Sequence, residues 1–244
     1  MKRRILAPEP KKVAKKKTVK YHKKKVVHKK KKVRLVKSST KYRFKNKRAY
    51  NIAVSSLKKA NYKGAHIVYV NHNAPRFTKA QLSHKTLYAK YNNRDRLGRA
   101  TGAMALLSKS EMPSAKRQAL SYNPTGWHSI KLYSNHYLYD RTHLIGYQFT
   151  GQNNNSRNLI TATSVLNRSQ GMEKYENRVA TYLRGNRARK ILYRVTPIYH
   201  GNNLVASGVH MEAQSIGSNA IKFNIYIFNV QNGLSINYKT GTAK

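Results

Sequence analysis

The 244-residue chain contains no cysteine. Disulfides, thiolate zinc sites and a cysteine nucleophile are therefore excluded. Acidic side chains are almost as scarce. There are seven, Glu9, Asp95, Glu111, Asp140, Glu173, Glu176 and Glu212, against 50 Lys and Arg. Two-metal nucleases and polymerases hold their ions with clustered carboxylates, and seven scattered acids can hardly staff such a site. A metallo-hydrolase built on this chain would use one ion with neutral oxygen ligands. No apolar run reaches the roughly 18 residues that suggest a membrane-spanning helix. The start, MKRRILAPEP, is basic but has no apolar stretch behind it, so no signal peptide is expected in this chain. There is also no P-loop, no dinucleotide-binding glycine pattern and no internal repeat.

Positive charge is what the chain has in excess. The formal net charge is +43, and a chain this basic repels itself until a polyanion neutralises it. Nucleic acid is the first partner to consider; anionic membrane or cell-wall polymer is the second. Of the 50 Lys and Arg, 23 fall in residues 1–48 together with one acid, Glu9; the other 27 share residues 49–244 with six acids. The body is basic in its own right. Residues 1–48 are Lys-rich and of low complexity, with valines at no sustained period. We expect a disordered tail that binds phosphate without sequence preference, or a solvated tether.

Folded sequence is expected over 49–244, starting near Tyr50. Residues 55–59 suggest a short helix, and residues 66–70 a strand rich in β-branched and aromatic side chains. Residues 79–120 suggest several short elements without a clear period. Residues 130–133 alternate like a strand, and Tyr137-Leu138-Tyr139 suggests another, leading into Asp140-Arg141-Thr142-His143. Met172, Tyr175, Val179, Tyr182 and Leu183 share one face of a helix, with Gly185 as its stop. Strands follow at 191–195, 204–213 and 221–228, separated by tight turns, which predicts an antiparallel meander. His210 and Glu212 alternate with Val209 and Met211 and are expected on a strand's polar face. The order of strands, helix, strands predicts an α+β domain.

The chemistry-bearing residues crowd into 137–176. His143 can take a proton near neutral pH. Phosphodiester cleavage needs an activated water, cations on the non-bridging oxygens and a stabilised 3′ leaving oxygen. One Mg²⁺ can meet the last two needs, and it prefers oxygen ligands and keeps most of its water. Asn167 could supply the ligand oxygen, and Glu176 could hold the ion's hydration shell. Asn167 as a turn cap and Glu176 as a solvated helix residue fit the spacing equally well. Nine residues on one straight helix would put the two on opposite faces, so a break at Gly171 is expected between them. Periodicity does not choose between Glu173 and Glu176.

Residues from about Tyr62 to Gly241 resemble the non-specific DNA/RNA endonucleases of the ββα-metal (His-Me finger) superfamily, of the DNA-entry nuclease and streptococcal DNase type. The hallmark Asp-Arg-Gly-His stands here as Asp140-Arg141-Thr142-His143, followed by Leu144-Ile145-Gly146-Tyr147. Matching segments upstream are Leu97-Gly98-Arg99 and Pro124-Thr125-Gly126-Trp127. Downstream they are Asn158-Leu159-Ile160-Thr161, Asn167, Gly171-Met172, Tyr175-Glu176, Tyr193-Arg194-Val195-Thr196-Pro197 and Asn229-Val230-Gln231.

The resemblance implies a ββα-metal finger core with a central antiparallel sheet flanked by helices. It implies His143 as general base, Asn167 as the Mg²⁺ ligand (with Mn²⁺ as a substitute), and Glu176 as the acid that holds the ion's water. Asn158 would support the site. Thr142 replaces the usual glycine, with little expected effect. The implied substrate is DNA, or DNA and RNA both, cut to 5′-phosphate ends without sequence preference. The implied setting is secretion from, or the surface of, a Gram-positive bacterium. Arg168 is the candidate for the scissile phosphate. Arg141 is open to phosphate contact or an ion pair with Asp140. His136, Arg178 and Arg184 are expected to be structural or solvent-facing, and Trp127 and most tyrosines to be core, although rings of this kind also stack on bases. The competing reading is a catalytically silent, polybasic DNA-binding or DNA-uptake protein on a nuclease-derived scaffold. A cell-wall-binding protein is a third reading that rests only on the tail.

Overall fold

The computed structural model describes residues 48–244. The expected Lys-rich tail lies, apart from Arg48, outside the described residues. Among the described residues there are eleven strands: β1 (Asn51–Ile52), β2 (Ile67–Val70), β3 (Tyr88–Tyr91), β4 (Ala103–Ser108), β5 (Lys131–Tyr133), β6 (His136–Tyr137), β7 (Tyr139–His143), β8 (Leu159–Thr163), β9 (Lys190–Ile198), β10 (Gly208–Ser215) and β11 (Lys222–Phe228). Four α-helices join them: α1 (Lys79–Ser83), α2 (Tyr147–Thr150), α3 (Ser164–Asn167) and α4 (Met172–Gly185). Residues 55–59, expected to be a short helix, fall in a 3₁₀ helix over Val54–Lys59. Among the described residues no helix is long and apolar enough to cross a membrane.

Seven strands build the central sheet in the order β1-β2-β11-β10-β9-β4-β3. All neighbours are antiparallel except β1 and β2. The expected meander is β9-β10-β11, the middle of this sheet. Its third member keeps the expected alternation: Phe223, Ile225 and Ile227 pack on one face, Tyr226 and Phe228 on the other. On the first face lie α4, through Met172, Tyr175, Val179, Ala180 and Leu183, and the β7–β8 pair, through Ile160 and Ala162. The helical period at 172–183 is thus the imprint of this sheet on α4. Tyr175 meets Phe223 with ring centroids 5.0 Å apart.

Three expectations need correction. Tyr137-Leu138-Tyr139 is not one strand: Tyr137 closes β6 and Tyr139 opens β7, so the hallmark residues are themselves strand. The strand expected from Leu204 begins only at Gly208. His210 and Glu212 do form a polar row, but it is buried, at 7% and 1% exposure. Residues 73–77 cover it. Glu212 accepts from the Arg76 N–H at 2.9 Å and pairs with Arg194 at 2.6 Å. His210 Nε2 lies 2.6 Å from Asn224 Oδ1, and the Asn224 side chain in turn donates to Ala74 O. Satisfied in this way, the polar row fastens a loop instead of facing water.

Candidate active site

The β7–β8 pair runs in register from Tyr139 opposite Thr163 to His143 opposite Leu159. Helix α3 follows β8 directly, capped by the Thr163 hydroxyl, which accepts from the Leu166 N–H. The chain then breaks at 168–171 and re-enters helix as α4, giving the strand-strand-helix unit. Gly171 makes the break possible. A Cβ there would lie 1.7 Å from Leu166 O, so no other residue fits without moving α3. The break expected from helical spacing therefore stands, and Asn167 and Glu176 belong to different helices. The unit is also tied to the sheet: buried Asn229 accepts from the Thr163 N–H at 2.7 Å and donates to Ala206 O at 2.9 Å.

These elements surround a cleft of about 1080 Å³. His143, Asn167, Arg168 and Glu176 all line it, as do Asp140 and Glu173. His143 is nearly buried, and its Nε2 lies 2.8 Å from Asn153 O. A carbonyl only accepts, so Nε2 carries the hydrogen and Nδ1 keeps its lone pair. Burial lowers the imidazole pKa below its usual value; the Asn153 carbonyl works against this and the Arg117 charge adds to it. The ring is therefore held neutral, in one tautomer, at neutral pH.

Asn158 does not line the cleft. It is fully buried; its Oδ1 accepts from the Ile145 N–H at 2.9 Å and its Nδ2 donates to Ile145 O at 3.0 Å. Asn158, expected to support the site, holds the backbone just past His143. Thr142 is wholly buried within extended β7, where a β-branched residue fits.

Asp140 organises the other wall. Its Oδ2 accepts from Asn167 Nδ2 at 3.0 Å, and Arg168 grips both its oxygens, at 2.8 and 2.9 Å. Burial alone would raise the Asp140 pKa, but the bonds from Arg168 and Asn167 outweigh it and hold the carboxyl below the usual range. The ion pair left open for Arg141 belongs to Arg168. Arg141 instead forks onto Asn123 Oδ1 at 3.0 and 2.6 Å and lies over Trp127, 4.4 Å from the ring centroid.

Glu176 is half-buried at the cleft wall, pressed on Gly146 so closely that a Cβ there would stand 3.1 Å from both carboxylate oxygens. Burial, then the nearby Glu173, push its pKa up to about 8, against the opposing pull of Arg117 and Gln148. Exposed Glu173 has no such enclosure. Among the described residues no three His, Asp or Glu side chains gather at one point that could hold a metal. The donors present are an amide oxygen turned free by Asp140 and a carboxylate whose charge burial disfavours. That set fits one hard, largely hydrated cation better than a soft or multiply ligated one.

Sequence reasoning missed Arg117. It lines the cleft and is near enough to lower the pKa of both His143 and Glu176. No periodicity marks it among so many cations; only the fold brings it to the site.

A family model for DNA/RNA non-specific endonucleases matches residues 78–217. The chain belongs to that family. A curated relative, a deoxyribonuclease of Streptococcus dysgalactiae subsp. equisimilis, is 31% identical over 114 residues, 46% of this chain. The match spans about a third, 34%, of that relative's length. Among solved structures, NucA from Streptococcus agalactiae with magnesium bound superposes with a TM-score of 0.66 at 26% identity, over 73% of this chain and 86% of NucA. The Sda1 nuclease with a bound zinc ion gives 0.57 at 25% identity, over 64% and 81%. The mixed α+β architecture of this family member, with few helices around a central sheet, is that of NucA.

Proposed function

We propose that the protein is a metal-dependent endonuclease that hydrolyses phosphodiester bonds in DNA, and in RNA, without sequence preference. The observation that carries this reading is the His143 imidazole, tied through Nε2 to Asn153 O so that Nδ1 is left as the acceptor nitrogen, in a cleft lined by arginines and by Asn167 and Glu176. Asn167 Oδ1 and the Glu176 carboxylate would hold the ion and its water. Mg²⁺ suits these oxygens, and Mn²⁺ could take its place. When bound, the ion supplies charge neutralisation at the phosphate and at the departing 3′ oxygen.

The chain's own residues do the rest. His143 Nδ1 takes a proton from the attacking water as the new P–O bond forms opposite the 3′ oxygen. The P–O3′ bond breaks, the 3′ oxygen takes a proton from solvent, and the phosphate stays on the 5′ side. Arg117, and Arg168 from its seat on Asp140, face the non-bridging oxygens. The excess of cations elsewhere on the body collects the polyanion without reading its sequence. Action at or beyond the surface of a Gram-positive cell belongs to the same reading and rests on the family resemblance.

A plasmid-nicking assay with Mg²⁺, repeated in EDTA, tests it. Nicking by the wild type that ceases in EDTA and in His143→Ala, while the variant still binds DNA, is the expected result. A His143→Ala protein that cuts at the wild-type rate would remove His143 as the base. Binding without cleavage by the wild type, under any divalent cation, would leave the silent DNA-binding protein.

A further inference from the structure

We propose that Tyr137 is a stacking platform for an unpaired nucleobase beside the scissile phosphate, and that the enzyme therefore favours single-stranded or frayed nucleic acid over intact duplex. This rests on the nuclease reading above and adds to it the conformation of the substrate.

Among the described residues three large apolar side chains are exposed, Tyr69, Leu97 and Tyr137, and of these only Tyr137, at 42%, lines the cleft. A lone exposed tyrosine needs no explanation; one standing in the wall of a polar cleft does. Its position is fixed although its ring is not used. Tyr133 and His136 stack across the β5–β6 turn at 4.5 Å and 20°, and Ser134 takes the left-handed conformation that makes the turn tight (φ 43°). Lys131 is opposite Tyr137 in the pair. No hydrogen bond or ring contact within the described residues engages the Tyr137 side chain.

The backbone of Tyr137 is also joined to the catalytic wall. Ser164, the first residue of α3, donates its hydroxyl to Tyr137 O and its N–H to Leu138 O, both at 2.8 Å. The last residue of that one-turn helix is Asn167. The platform and the proposed ion ligand thus sit at the two ends of one turn of helix. Lining the same cleft, the Arg141 guanidinium lies over Trp127, 4.4 Å from the ring centroid, with its fork held by Asn123. A free ring and a clamped cation lining one cleft are what a single strand needs: a face for a base and a charge for a phosphate. In duplex the bases stay stacked on one another and cannot reach a ring in the wall.

The test uses the full chain. Binding is followed in the His143→Ala background by fluorescence of a short single-stranded DNA carrying 2-aminopurine, and cleavage by the His143-intact enzyme on matched single-stranded and duplex oligonucleotides. We expect 2-aminopurine to be quenched on binding and Tyr137→Ala to abolish the quench. The same substitution should raise KM for the single strand on the order of tenfold, with kcat within about twofold. Tyr137→Phe and Tyr137→Trp, which keep a ring, should retain both properties and report on any fold defect in the alanine variant. An unchanged quench in Tyr137→Ala, or an equal loss on single strand and duplex, would overturn the platform. A wild type that quenches through Tyr137 but cuts nothing would keep the platform and sink the nuclease reading.

Discussion

Asp140 and Asn167 are 27 positions apart, yet Asp140 Oδ2 accepts a hydrogen bond from Asn167 Nδ2 at 3.0 Å. The bond fixes which end of the amide faces the cleft. The hallmark aspartate is thereby a support for the proposed ion ligand, and the Arg168 fork is what keeps it ionised.

Asp140→Ala should free the Asn167 amide to turn and release Arg168 together. Divalent-cation affinity, measured by calorimetry, should fall about 10- to 100-fold, the usual cost of losing a support behind a ligand. Asn at this position accepts one bond but cannot seat the guanidinium, so Asp140→Asn should fall between. Unchanged affinity in both variants would show that Asn167 does not need this support.

The pH dependence of cleavage should show the burial of His143. The base works when neutral, so the rate falls as pH drops through its pKa. Burial and Arg117 lower that pKa, and the acid limb of kcat/KM, taken at saturating cation, should have its midpoint below the ordinary histidine value of about 6.5. Arg117→Ala removes one lowering charge and should shift the limb upward. A limb that stays in place in this variant would show that Arg117 does not act on the base.

Glu176 should leave its mark on stability when cations are removed. Its folded-state pKa, pushed up to about 8, lies above the ordinary glutamate value of about 4.3. Between these values the folded form holds a proton that the unfolded form has lost, so stability falls as pH rises through the window. In EDTA, the wild type should lose Tm relative to Glu176→Gln as pH rises from about 4.3 to about 8, and added Mg²⁺ should restore it to the wild type alone. Parallel melting curves across that range would contradict the burial of this carboxylate.

Gly171→Ala should be the most damaging single methyl. The new Cβ meets the Leu166 carbonyl, so α3 or α4 must shift. Destabilisation of about 3 kcal/mol is expected from this overpacking. Denaturant unfolding of the variant checks it.

Much of this was legible in the sequence where periodicity is local. The apolar face of α4 and its stop at Gly185 follow from spacing, the two faces of β11 from alternation, and the break at Gly171 from spacing once Asn167 and Glu176 are placed in one site. Strand β4 was not legible. Its Ala-Met-Ala-Leu-Leu run consists of strong helix formers, and it is nearly all buried, so no alternation appears. Choosing between the partners of Asp140 needed the fold for another reason. Successive side chains leave an extended strand on opposite sides, so Arg141, adjacent in sequence, turns to Asn123, and the distant Arg168 arrives from the end of α3. The choice of Glu176 over Glu173 came from family resemblance; in the structure the two differ in enclosure, which no spacing rule encodes.

The Asn158 side chain behaves toward Ile145 as a neighbouring peptide would. The ladder between β7 and β8 would otherwise end at the pair His143–Leu159, and strand ends fray. With Leu144 N–H on Asn158 O and both polar groups of Ile145 on the Asn158 amide, two further rungs are added beyond the histidine. The histidine proposed as the base is thus an interior position of its sheet, although by strand count it is the last.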